Sequence, residues 1–150
     1  MNSLLIVANT PSQNALTLRN AVQHGATKSG ISVIVKPPLE TTVSDVLSCS
    51  GIIIGTTENF GYMSGQIKDF FERIYYPCLE NTEALPWALY VKAGLDGTGA
   101  TRSVEKIVSG LKWRTVQDPL LLHGTFREAF TSDCEALGAG MAEGLKLGIF

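Results

Sequence analysis

The stretch Gly51-Ile52-Ile53-Ile54-Gly55-Thr56-Thr57-Glu58-Asn59-Phe60-Gly61-Tyr62-Met63-Ser64-Gly65-Gln66-Ile67-Lys68-Asp69-Phe70-Phe71 decides how the rest of the chain is read. Its first five residues are apolar or glycine at every position, so a strand here needs cover on both faces and belongs in the middle of a sheet. Thr56 to Gly61 is a loop of small and polar residues. Beyond it Ile67, Phe70, Phe71 and Ile74 recur at helical spacing, the period of a helix with one buried side. That spacing accounts for them fully as core.

The same strand-then-helix pattern extends in both directions. Toward the N-terminus, the apolar run Leu4 to Ala8 stops at the turn formers Asn9-Thr10-Pro11-Ser12. Ala15, Leu16, Leu18, Ala21, Val22 and Ala26 then keep helical spacing until Gly30. Ile31 to Val35 is a second strand, ended by Pro37-Pro38, and a brief helix follows with Val43, Val46 and Leu47 as its expected buried side. Toward the C-terminus, Trp87 to Val91 is a fourth strand. The glycine-rich segment Gly94 to Gly99 precedes a helix carrying Val104, Ile107, Val108 and Leu111. Leu120-Leu121-Leu122 is a fifth strand. Ser132-Asp133-Cys134-Glu135 matches a capping box, which would open a last helix with Leu137, Met141 and Leu145 inward.

Five strand–helix alternations without a linker or repeat predict one α/β domain over residues 1–150. The expected sheet is parallel, with right-handed crossovers and helices on both faces. Ligands in such sheets bind beyond the carboxyl ends of the strands, where strand order reverses. The loops after strands one, three and four are therefore the candidate site.

Composition narrows the chemistry. With 12 basic and 14 acidic residues and no basic run, a nucleic-acid partner is not expected. No apolar run approaches the roughly 20 residues a spanning helix needs, and no basic segment precedes Leu4, so neither a membrane role nor a secretion signal is expected. Cys49, Cys78 and Cys134 form no CxxC pair and stand far in sequence from His24 and His123. They read as buried thiols in a reducing cytoplasm rather than a zinc site or a disulfide framework.

The first loop, Asn9 to Ala15, crowds hydroxyl and amide side chains where a helix begins. Such a place suits an anion held by neutral donors, since no cation occurs before Arg19; it equally suits a simple cap made by Ser12. Neither GxxxxGK[ST] nor GxGxxG is present, which disfavours a P-loop and a dinucleotide held in the Rossmann manner. A receiver domain would need carboxylates where this chain has Asn9, Thr10, Gly55 and Thr56. In the third loop, Gly94, Gly97 and Gly99 admit close approach of a flat ligand or merely supply a turn.

The segment from Gly55 to Phe71 resembles the flavodoxin-like NAD(P)H-dependent oxidoreductase family, which includes FMN reductases and quinone reductases. The likeness lies in a strand ending in glycine, a few small or polar residues, an aromatic with glycine, and the helix start Ser64-Gly65-Gln66-Ile67-Lys68-Asp69-Phe70. The first loop resembles that family's phosphate-wrapping turn, and Glu135 to Leu145 its final helix. The resemblance implies strand order 2-1-3-4-5 and bound flavin mononucleotide (FMN). It implies phosphate contacts from Thr10, Ser12, Gln13, Asn14 and Ala15. It further implies ring contacts from Thr56, Thr57, Glu58, Asn59, Phe60 and Gly61, with Gly94, Asp96 and Gly97 closing the other side. Phe60 or Tyr62 would cover part of the ring, or else pack on the sheet. Asp96 and His123 would meet a flavin edge or a substrate, or serve as a loop cap and a strand-end residue.

By the same resemblance NAD(P)H is the electron donor, a quinone, another small molecule or a redox protein is the acceptor, and no side chain is catalytic. A flavodoxin-type electron carrier and an interaction domain without tight FMN binding remain alternatives. Carriers of that type present strongly acidic faces, whereas this chain carries a net charge of −2. A homodimer or homotetramer is expected, with Tyr75, Tyr76 and the Trp113 region as exposed aromatics compatible with contact.

Overall fold

The computed structural model describes residues 2–150. Along the chain run β1 (Ser3–Ala8), α1 (Gln13–Thr27), β2 (Ser32–Lys36), a 3-10 turn (Pro38–Glu40), α2 (Val43–Ser48), β3 (Gly51–Thr57), α3 (Gly65–Cys78), β4 (Pro86–Ala93), α4 (Thr98–Leu111), β5 (Arg114–Thr115), β6 (Leu120–His123) and α5 (Glu128–Lys146). The strands pair in parallel in the order β2-β1-β3-β4-β5, and β6 also pairs with β4. Order reverses between β1 and β3, so the loops after those two strands lie side by side.

Side-chain alternation along the buried strands divides the core in two. Leu5, Val7, Ile52 and Ile54 face α2, α3 and α4, together with Phe70, Phe71 and Trp87. Leu4, Ile6 and Ile53 face the other way, against Leu18, Val22, Phe130 and Met141 of α1 and α5. Each strand therefore feeds two cores, which is why its sequence is apolar at every position. The contact of α1 with α5 is close enough to require glycine. A Cβ on Gly25 would stand 2.0 Å from the Glu135 carbonyl oxygen, and one on Gly138 2.0 Å from that of Val22.

Four expectations are corrected. The fifth strand is split, with β5 pairing at Pro86 and Trp87 and β6 at Tyr90 to Ala93. Pro119, which has no amide to give a ladder, lies in the gap. α5 starts at Glu128, not at Ser132, so the Ser132–Glu135 pattern lies inside a helix and caps nothing. Leu47 points outward at 49% exposure, leaving Val46 as the buried residue of α2. Trp113 is buried, its Nε1 donating to Thr82 Oγ1 at 2.8 Å, and of the three aromatics only Tyr76 is largely exposed. Among the described residues no helix is long and apolar enough to cross a membrane.

Candidate functional site

Loop 1, residues 9–12, runs from β1 into α1. Ser12 is the N-cap, and its Oγ accepts from the Ala15 amide at 3.2 Å. The cap expected from sequence is thus real, but it satisfies one amide only. The Leu16 amide goes to the Ser12 carbonyl at 3.0 Å. The amides of Gln13 and Asn14 have no partner among the described residues, as the first turn of any helix leaves them. Ser12, Gln13 and Asn14 are exposed, Thr10 is half-buried and Ala15 is buried. Free amides, hydroxyls and the positive end of a 15-residue helix converge here without a cation, a donor set that fits a phosphate monoester.

Asn9, which the sequence marks only as a turn former, joins this loop to the next. Its Oδ1 accepts from the Thr57 amide at 3.2 Å, and its Nδ2 donates to Thr57 Oγ1 at 3.1 Å. The Asn9 amide donates to the Gly55 carbonyl at 3.3 Å. The registry Ala8↔Gly55 sets up this bridge, and only the pairing of β1 with β3 reveals it. Beside Asn9 lies a cavity of about 220 Å³ lined by Ala8, Asn9, Thr10, Pro11, Pro37, Pro38 and Gln66.

Loop 2, residues 58–64, satisfies most of its own polar groups. Thr56 is buried, its Oγ1 accepting from the Ser64 amide at 2.9 Å. Glu58 extends the sheet with its amide on the Lys92 carbonyl at 2.9 Å. Asn59 and Tyr62 exchange both backbone bonds, at 2.9 and 3.0 Å. Between them Phe60 at φ 55° and Gly61 at φ 70° form a two-residue turn of the primed kind, which needs positive φ at both central positions. Gly61 meets that need freely; for Phe60 it is strained, at roughly 1–3 kcal/mol. The Phe60 ring stands fully exposed at the tip. From Thr57 to Ser64, only the Phe60 and Gly61 amides lack a partner among the described residues.

Loop 3, residues 94–97, is short. Gly97 adopts φ 75° and precedes α4 directly. Asp96 Oδ1 accepts from the Thr98 amide at 3.0 Å, and this bond holds the exposed carboxyl below its usual range. Asp96 thus makes a loop-cap bond. Leu95 projects into solvent at 82% exposure, and no atom lies within 4 Å of where a Gly94 Cβ would be. The amides of Leu95 and Asp96 have no partner among the described residues. His123, at the end of β6, is exposed. The Glu58 carboxylate accepts from the Ala100 amide of α4 at 3.0 Å. Phe60 and Leu95 together put two apolar side chains at the carboxyl edge, on the loops after β3 and β4, which suits a flat apolar ligand.

No family model matches the chain, and no curated protein matches it in sequence. Solved structures do match in shape. A flavodoxin from the domain Archaea superposes with a TM-score of 0.84 at 16% identity, over 96% of this chain and 99% of that one. The Streptococcus pneumonia flavodoxin gives 0.77 at 16% identity, over 99% of each chain. The flavodiiron protein from Giardia intestinalis gives 0.83 at 11% identity, over 98% of this chain and 37% of that one. The chain has a flavodoxin-like fold.

Proposed function

We propose that the protein binds FMN at the carboxyl edge of its sheet and works as an NAD(P)H-dependent oxidoreductase, passing electrons to a quinone or another small acceptor. One observation carries the reading. Free backbone amides gather at the start of α1 and again at the Phe60–Gly61 tip, where a phosphate and a ring would each need donors.

When bound, FMN supplies the hydride and electron chemistry. The chain's own residues bind and orient. The Thr10 and Ser12 hydroxyls and the Gln13 and Asn14 amides would hold its phosphate, with the Gln13 and Asn14 side chains and the backbone at Ala15 beside them. Charge is met by aligned dipoles, not by a cation. Phe60 and Leu95 would exclude water from the ring, and the Phe60 and Gly61 amides would offer donors to its polar edge. Thr56, Thr57 and Asn59 hold the shape of loop 2 through their hydrogen bonds. Gly94 and Gly97 keep loop 3 low. No side chain would need to act as acid or base on this reading. Burial pushes the Cys49 and Cys134 thiols up to about 12, so neither offers a thiolate near neutral pH.

A carrier role is the second reading, because the matched flavodoxins align with this chain over 99% of their own length. The visible spectrum of purified protein titrated with FMN tests the first claim. Saturation near one FMN per chain with a raised Tm is expected. Bleaching by NADH or NADPH favours the reductase over the carrier. An unchanged spectrum and an unchanged Tm overturn FMN binding and leave an interaction domain.

A further inference from the structure

We infer that Glu58 is a positioning residue. Its carboxylate reaches from loop 2 to the first turn of α4 and fixes the separation of the two loops between which the flavin ring would lie. The inference rests on the FMN reading above, and three observations carry it.

α4 brings no cap of its own. The residue before it, Gly97, has no side chain to offer, so the first-turn amides must find acceptors elsewhere. Asp96 takes the Thr98 amide from within loop 3. The Ala100 amide, two residues on, is taken at 3.0 Å by Glu58, which stands 42 residues earlier. A carboxylate at that point also meets the positive end of the helix dipole.

The second observation is steric. A Cβ on Gly99 would lie 2.0 Å from the Gly61 carbonyl oxygen, so the tip of loop 2 rests on the backbone of α4 itself. The third is a second tie beyond the tip. The Met63 amide donates to Ser103 Oγ at 3.1 Å, and that hydroxyl donates to the Ala100 carbonyl at 2.8 Å.

Loop 2 is therefore fastened to α4 on both sides of the strained Phe60–Gly61 turn. The Ala100 amide takes one carboxylate oxygen, Oε2, and so holds the side chain against α4. Its effect on a cofactor runs through the loops. Loop 2 is fastened to α4 before any ligand arrives, so ordering it would not be charged against binding, and release would require the clamp to loosen.

Amide exchange by NMR on the ligand-free protein, combined with FMN release followed by flavin fluorescence, tests this in Glu58→Ala, Glu58→Gln and Ser103→Ala. Glu58→Ala is expected to speed exchange at Ala100, and FMN release, by about tenfold each. In Glu58→Gln the amide oxygen still accepts from Ala100, so both rates should stay within about threefold of the parent. Ser103→Ala should move both in the same direction by less. Parent-like exchange in Glu58→Ala overturns the clamp. Fast exchange with unchanged FMN release overturns the positioning role, as does failure of Glu58→Gln to restore it. If the parent protein binds no FMN, the functional reading fails and the cofactor role of Glu58 fails with it. The ligand-free exchange rates would still show whether the clamp exists.

Discussion

Loop 1 and loop 2 solve opposite problems at one edge of the sheet. In loop 1 the first-turn amides of α1 stay open to solvent, and Ser12 satisfies only the Ala15 amide. In loop 2 every amide but the two at the tip is taken, by Lys92, Tyr62, Asn59, Ser103 or Thr56, and one oxygen of the Glu58 carboxylate is taken by α4. A helix start left open to solvent can accept an anion, because its dipole and free amides favour negative charge. A loop whose amides are already paired has fewer groups to reorder when a ligand arrives. If FMN binds as proposed, the contrast would give phosphate recognition to loop 1 and ring placement to loop 2 and the helix it leans on.

Breaking the rigid half should have the largest effect. Gly99→Ala drives a Cβ into the Gly61 carbonyl, and overpacking of this kind costs about 1–3 kcal/mol. A Tm several degrees lower and FMN affinity reduced at least about tenfold are expected. Gly65→Ala, where nothing lies within 4 Å of the new atom, should leave Tm nearly unchanged. Equal behaviour of the two variants would contradict the close seating of loop 2 on α4.

Asn14→Asp probes the open half and should separate stability from binding. A carboxylate in the first turn of α1 favours the helix by about 0.3–1 kcal/mol, so the ligand-free protein should melt slightly higher. The same charge repels a phosphate, and FMN affinity should fall about tenfold. A thermal melt and an FMN titration on one sample check both signs.

Phe60→Gly should also split the two readouts, by less. Removing the positive-φ strain is expected to raise stability by about 1 kcal/mol, whereas loss of the ring's cover weakens FMN binding several-fold. Lower stability in the variant would mean that Phe60 is not strained.

The smallest effect concerns pH. The folded Asp96 carboxyl lies below its usual value because the Thr98 amide donates to it. Its contribution is therefore fully present above the unfolded value and is lost as pH falls through the folded one. Amide exchange at Thr98, corrected for its intrinsic pH dependence, should accelerate only in that acidic window, and Asp96→Asn should abolish the step.

How much of this the sequence reveals depends on the range of the interactions. β3, α3 and the cores were legible because burial imposes a local period that a single chain displays. The order of alternation implied the parallel sheet, and the glycine–aromatic pattern after β3 marked loop 2. Three kinds of feature were not legible. The capping pattern at Ser132 is a local match that the Arg127 helix start overrides, since helix length follows the apolar face from Phe130 to Leu145. The exposed Leu47 reflects a six-residue helix too short to hold a full stripe. Asn9–Thr57 and Glu58–Ala100 join residues 48 and 42 positions apart. Nothing local distinguishes a Glu58 aimed at α4 from one aimed at a ligand.

The most direct test of the central claim compares FMN with riboflavin in parallel fluorescence titrations of the purified protein. The two ligands share the ring and ribityl chain and differ only in the phosphate that loop 1 is held to recognise. FMN should bind near one per chain and at least about a hundredfold more tightly, as expected for two charge-assisted bonds from free amides. Equal affinity for the two, or no binding of either, would contradict the account.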